Sequence, residues 1–281
     1  MAVVADYNPI VPEQRVLDLI IKPLVTNSIA GQVLTEVITD SHDWRIPIVN
    51  TDPTASWTAE GAEISATDAD IDELTVTPKK LAALSVISNE LANDSNPAAA
   101  NVIGEGIVRD LTRKVDQALF ATSAITNGPA YTLGTQSGVS TVSAGAAYTT
   151  IDAFSDAVYV AADNNAVITH WVTNPATAKT LAKVKEQTGS NKPLLGADPT
   201  SPGQRQILGV PLLTSPYVPT TDNVVWGISK MYGYMVIREK AEVEADNSVF
   251  FTSDRVAVRA KVRVGFGFPA PLTMVKITTT A

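Results

Sequence analysis

VIREKAEVEADNSVFFTSDRVAVRAKVRV, residues 236–264, writes two strands in complementary charge around Asp246-Asn247-Ser248. In the first half Arg238, Lys240, Glu242 and Glu244 follow Val236 along one face. Ile237, Ala241, Val243 and Ala245 fill the other, and Glu239 alone breaks the pattern. In the second half Arg255, Arg259, Lys261 and Arg263 alternate with Val256, Val258, Ala260, Val262 and Val264. A period of two over this length predicts strands with one buried and one wet face. The acids ending the first strand can pair with the bases of the second, at roughly 0.2–1 kcal/mol per cross-strand pair. The second strand carries more base than its neighbour can neutralise, so its wet face is expected to meet a further surface. With no nucleophile or ligand set in it, the ribbon reads as a building element.

Upstream, Asn96-Pro97 opens the longest expected helix, with Asn as N-cap and Pro in the first turn. Ile103, Ile107, Leu111, Val115 and Leu119 recur every four residues, Val108 and Ala118 widen the stripe, and the helix is expected to end near Ala121. Its ~25 residues would make a rod of about 37 Å. Gly104 and Gly106 inside it are expected to permit close packing. Between Trp57 and Pro78 stand Glu60, Glu63, Asp68, Asp70, Asp72 and Glu73, with no Lys or Arg. Arg45 to Val49 reads as an outgoing strand, Ile71 to Thr77 as its return, and Leu81 to Ile87 as re-entry into a body. An extended hairpin of about 25 residues, rich in charge and poor in core formers, does not fold stably alone. It calls for a partner surface, and its acids call for a basic one. The bases on offer are Arg109, Arg113 and Lys114 on the helix and Arg255, Arg259, Lys261 and Arg263 on the ribbon.

The remaining segments are an arm, a lobe and a closing strand. Asn8-Pro9 and Val11-Pro12 keep residues 1 to about 40 extended at first. An apolar cluster from Val16 to Ile21 follows, broken by Pro23, and then a weakly amphipathic stretch from Ser28 to Glu36. Residues 127–149 read as a loop or hairpin. A helix over 151–162, a strand from Val167 to Thr173, a helix over 175–187, a polar loop and a buried strand from Ile207 to Leu213 predict a compact α/β-like lobe.

Composition narrows the function. Of 281 residues, 18% are charged, below the roughly 25% of ordinary domains, which implies a large core or surface hidden against partners. A net charge of −8 argues against general nucleic-acid binding, which needs a basic footprint. With no cysteine, disulfides, thiolate metal sites and thiol nucleophiles are excluded, and only His42 and His170 supply imidazole. No apolar run approaches the ~20 residues that span a bilayer, and Met1 to Asp6 lacks a basic leader, so neither membrane nor secretion is expected.

Several segments, in order, resemble the tailed-bacteriophage major capsid proteins of the Hong Kong 97 fold family. They are Ile10-Val11-Pro12, Ile46-Pro47, Ala55-Ser-Trp57-Thr-Ala-Glu60-Gly61, Lys80-Leu81-Ala82, Ser88 to Leu91 with Asp94-Ser95, Val172-Thr-Asn-Pro175, Leu208 to Ser215, Arg263-Val-Gly-Phe266 and Pro269-Ala-Pro271. The resemblance implies an α+β capsid fold in four parts. Residues 1–45 would be an N-terminal arm, and 46–82 an extended loop with its flanking strands. Residues 83–129 and 236–271 would form a peripheral domain with a spine helix over 97–121, and 130–235 with 272–281 an axial domain. It implies a homo-oligomeric icosahedral shell of pentamers and hexamers around double-stranded DNA contacted non-specifically, assembled in a host cytoplasm. A portal would be a partner, scaffolding would be either a separate protein or dispensed with, decoration proteins are a further option, and no cofactor and no enzymatic activity are implied. The interface candidates are Trp57 and the six acids on one copy, and the helix and ribbon bases on the next. Such a heterologous contact closes into rings. No charged helical segment precedes the arm, so no fused scaffolding domain is expected. Lys79 and Lys80 lie at the loop's base, so the Lys–Asn isopeptide weld of some relatives is not expected either.

Rival readings are blander or poorer. The acids lack the paired pocket of a glycosidase and the Gly-anchored spacing of a calcium loop. His170 beside Trp171 reads as a packed histidine, and Ser41-His42-Asp43 lacks a nucleophile elbow. Gly265-Phe-Gly267-Phe-Pro-Ala270 mimics a dinucleotide fingerprint without its helix. An encapsulin-type nanocompartment shell and a tail or receptor-binding protein are the alternatives to a phage head.

Overall fold

The two charged strands lie side by side, antiparallel, as β10 (Tyr234–Asp246) and β11 (Arg255–Gly267). Their register sets Glu242 opposite Lys261 and Glu244 opposite Arg259, the expected acid–base match. Arg238 stands opposite Arg263, and the pairing slips between Arg238 and Glu242. Glu239, which broke the alternation, falls inside this irregularity, where three residues of β10 stand against Val262 alone on β11. The computed structural model describes residues 28–51, 53–61, 63, 66–88, 99–187, 189–195, 205–246, 250 and 253–279. The apolar cluster at 16–21, the Asn96-Pro97 helix opening and the Asn247-Ser248 turn lie outside them.

β4 (Lys79–Ser88) pairs with the other edge of β11, and β1 (Thr35–Thr39) adds parallel to β10, giving a four-stranded sheet β1-β10-β11-β4. β1 and the short helix α1 (Ile29–Val33) before it thus belong to the body, although the resemblance assigns these residues to an arm. Helix α2 (Ala99–Leu119) covers one face of the sheet. Ile107, Leu111, Val115, Ala118 and Leu119 are buried with Val258, Ala260, Val262 and Val264. Its 21 residues make about 31 Å of rod.

Gly106 makes no close packing contact among the described residues of the subunit, where a Cβ built on it would meet only Arg109 Nη2, at 3.7 Å. Gly in a helix interior costs roughly 0.5–1 kcal/mol relative to Ala. Gly106→Ala is therefore expected to stabilise the subunit by about that amount, read as a higher midpoint in urea.

A second sheet has the order β5-β12-β9-β6-β8-β7. Its members are β5 (Ser140–Ser143), β6 (His170–Thr173), β7 (Arg205–Ile207), β8 (Val210–Thr214), β9 (Val225–Ile228) and β12 (Val275–Thr278). Helix α3 (Asp152–Asp163) buries Phe154, Ala157 and Ala161 against Trp171, Val225, Val275 and Ile277. Phe154 meets Trp171 edge-on, with ring centroids 5.1 Å apart. The opposite face carries Val172, Trp226 and Ile228 into the core that surrounds Leu119 and Phe120, so one core bridges both sheets. Helix α4 (Pro175–Ala182) opens as read, with Asn174 Oδ1 accepting from Ala176 N–H.

Three expectations are corrected here. The 127–149 segment contributes β5, an edge strand parallel to β12. The strand expected from Val167 begins only at His170, with Val167 76% exposed. The apolar run Ile207–Leu213 is a tight hairpin in which Leu208 and Gly209 take φ of 53° and 78°. A two-residue turn of this hand matches the twist of its strands.

Candidate intersubunit surfaces

β2 (Trp44–Thr51) and β3 (Asp70–Val76) form a separate antiparallel hairpin. Directly opposed residues share a face, so Trp44, Ile46, Leu74 and Val76 lie on one side. That side seats the hairpin's root on the four-stranded sheet. Trp44 packs tilted against Tyr234 with ring centroids 5.1 Å apart, and Val76 is buried over Gly265 and Gly267. Added Cβ atoms at those glycines would stand 2.9 and 2.8 Å from the Val76 methyls. Only Thr77 and buried Pro78 separate β3 from β4.

Farther out the hairpin leaves the body. Val49 and Ile71, paired across the ladder, are 51% and 64% exposed. Trp57 is fully exposed, and Glu60, Glu63, Asp68, Asp70 and Asp72 are exposed too. Within the hairpin Glu73 pairs with Arg45 at 3.2 Å, and Asp72 Oδ1 accepts from Glu73 N–H. Thr67 Oγ1 accepts from Thr54 N–H at 3.0 Å and ties the loop's neck. At the root, Asp43 accepts from Thr77 Oγ1 and contacts His42 Nδ1, and the Thr77 hydrogen bond first, His42 second, lowers its pKa. His42 and Asp43 thus help hold the hairpin's root.

The candidate bases divide. On α2, Arg109 pairs with Glu105 one turn earlier at 3.7 Å, and Arg113 with Asp110. Both acids stand at helical spacing, a signal that sequence reasoning overlooked. Lys114 pairs with no acid of the helix. It lines a cleft of about 510 Å³ with Lys79 and Lys80, floored by Leu81, Val115, Ala118, Val264 and Phe266. On the ribbon Arg255 and Arg259 are exposed while Lys261 and Arg263 are half-buried. Leu84, opposite Arg259, is 64% exposed, so the open sheet face mixes base with apolar surface.

One functional group escaped sequence reasoning. Asp116 is buried, and its carboxylate holds the start of α1. Oδ1 accepts from Ser28 Oγ at 2.7 Å and Ala30 N–H at 3.0 Å, and Oδ2 from Ile29 N–H at 3.2 Å. Burial pushes its pKa up against these hydrogen bonds. An acid beside the Ile107–Leu119 stripe was the available clue.

His170 is half-buried against Thr169 Oγ1, and burial lowers its pKa, as a packed histidine requires. Among the described residues no three His, Asp or Glu side chains converge as metal ligands. None of the described helices is long and apolar enough to cross a membrane.

A sequence profile of the phage capsid family matches residues 8–276. No curated protein matches the chain. Among solved structures, the fold is similar to the capsid of an empty GTA particle, at 20% identity and a TM-score of 0.73, covering 89% of each chain. It is similar to a structure from Mycobacterium phage Bobi, at 13% identity and a TM-score of 0.72, covering 90% of this chain and 91% of that one. A third, from Microbacterium phage Oxtober96, shares 17% identity with a TM-score of 0.71 over the same shares.

Proposed function

Because the chain belongs to the phage capsid family, we infer that its projecting hairpin is the limb by which one subunit grips the next. The protein is a major capsid protein of the Hong Kong 97 fold type, a structural component of the virion that assembles into the head shell. Its shell is multimeric, of pentamers and hexamers. The observation that carries the reading is a hairpin whose outer half exposes Trp57, Val49, Ile71 and five acids to solvent.

The finer reading follows from charge and topology. All strands of the six-stranded sheet fall within 130–235 and 272–281, the proposed axial domain. Helix α2, β10 and β11 carry the proposed peripheral domain, joined by β1. The shell encloses double-stranded DNA, and an envelope of subunits at −8 each repels that DNA, so contact with it is weak and non-specific. Assembly in the host cytoplasm with a portal and separate scaffolding or decoration proteins completes the reading, and no catalytic role is proposed.

Replacing Asp70, Asp72 and Glu73 together by Lys tests it. Exposed ion pairs contribute about 0–1 kcal/mol each, so three reversals raise the concentration needed for assembly by about tenfold or more. Circular dichroism should show a folded subunit and electron microscopy few shells. Shells at the parent's yield would refute the acidic contact.

A further inference from the structure

We propose that the cleft lined by Lys79, Lys80 and Lys114 is the socket for the Trp57 loop of a second copy of this chain, an inference that rests on the assembly reading above. The cleft lies between the C-terminal half of α2, the 121–129 loop and the start of β4. Its floor is apolar, from Leu81, Val115, Ala118, Val264 and Phe266, and among the described residues its lining has three lysines and no acid. None of the three lysines pairs with a carboxylate among the described residues. At about 510 Å³ it falls within the usual size of a ligand pocket.

The occupant is written in the same chain. Trp57 stands fully exposed, three residues before Glu60 and six before Glu63. An indole buries roughly 150–250 Å² and anchors interfaces more often than most side chains. Seated on the apolar floor, it would bring Glu60 and Glu63 to the lysine rim. An aromatic anchor followed by acids fits an apolar floor rimmed by bases better than a bare phosphate does, because phosphate leaves the floor wet.

The partner is another subunit because the hairpin cannot serve its own socket. Lys79 follows β3 by two residues, so the cleft lies at the hairpin's root. The seven residues of paired β3 alone hold the loop roughly 20 Å away. Tip in one copy and root in the next make a head-to-tail contact, which closes into a ring.

Three variants of the full chain test the assignment, with shell yield read by sedimentation and electron microscopy and folding by circular dichroism. Trp57→Ala should fold normally and lower shell yield about tenfold or more, the effect of losing one central anchor. Trp57→Phe should recover most of that yield. Charge reversal by Glu60→Lys with Glu63→Lys should fail alone and be rescued by adding Lys79→Glu and Lys114→Glu. Parent-like shells from Trp57→Ala, or no rescue by the reciprocal swap, overturn the assignment. So does a lysine-reversed variant that builds normal shells and loses only DNA retention, which would make the cleft a phosphate site. Failure of the unsubstituted chain to build shells sinks the assembly reading and this inference with it, whereas a normal Trp57→Ala sinks this inference alone.

Discussion

Valine at both Gly265 and Gly267 is expected to unseat the hairpin and cost the subunit about 4 kcal/mol. Valine is a better strand residue than glycine, so local preference alone predicts a gain. Contact decides otherwise. At Gly265 the first added carbon would meet Val76 Cγ1 at 2.9 Å and the Pro78 Cα at 3.3 Å, and the second of these is backbone that cannot rotate away. At Gly267 it would meet Val76 Cγ2 at 2.8 Å, with Leu74 and Trp44 close behind. Overpacking a tight contact typically costs about 1–3 kcal/mol per site. Urea unfolding measures the loss, and Val76→Ala in the same background should return part of it. A double variant as stable as the parent would mean that hairpin and sheet do not approach as closely as described.

Asp116→Ala comes next, at about 3 kcal/mol. It strands the Ser28 hydroxyl and the N–H groups of Ile29 and Ala30 in a buried place, and each unsatisfied group there costs about 1–3 kcal/mol. The carboxyl also sets a pH dependence. Burial, the largest influence, raises its folded pKa above the ordinary 3.8. The stability linked to its proton is then fully present below the unfolded value and is lost as pH rises through the folded one. The parent's advantage over Asp116→Ala is accordingly largest in acid and shrinks as pH climbs above 3.8. Urea midpoints of both proteins across that range check the sign. An advantage growing with pH would show that the hydrogen bonds outweigh burial.

Elements with a strong period were legible in the sequence. The β10–β11 ladder, helix α2 and the β2–β3 hairpin each repeat a pattern long enough to fix type, although Val236, read on the wet face of β10, is buried like Ile237 beside it. β5 was not, because four Ser, Thr and Val residues at a sheet edge carry no apolar period. The β7–β8 hairpin hid inside a continuous apolar run whose turn puts a leucine where asparagine or glycine usually stands. For the candidate surfaces, the acids and Trp57 were found as an exposed set. The pairing of Arg109 and Arg113 within their helix was readable from spacing, and its neglect made α2 look more basic than it is. The lysine cleft could not be read. Lys79 and Lys114 lie far apart in the chain and meet only because β4 packs under α2.

The two-residue link between β3 and β4 leaves no slack. Pro78 fixes its own φ near −65° and is buried, and Thr77 spends its hydroxyl on Asp43. The limb's root and the sheet therefore tilt as one lever. A shell that bends more sharply at fivefold than at sixfold positions has to absorb the difference beyond Ile48 and Asp72, where Val49 and Ile71 stand exposed.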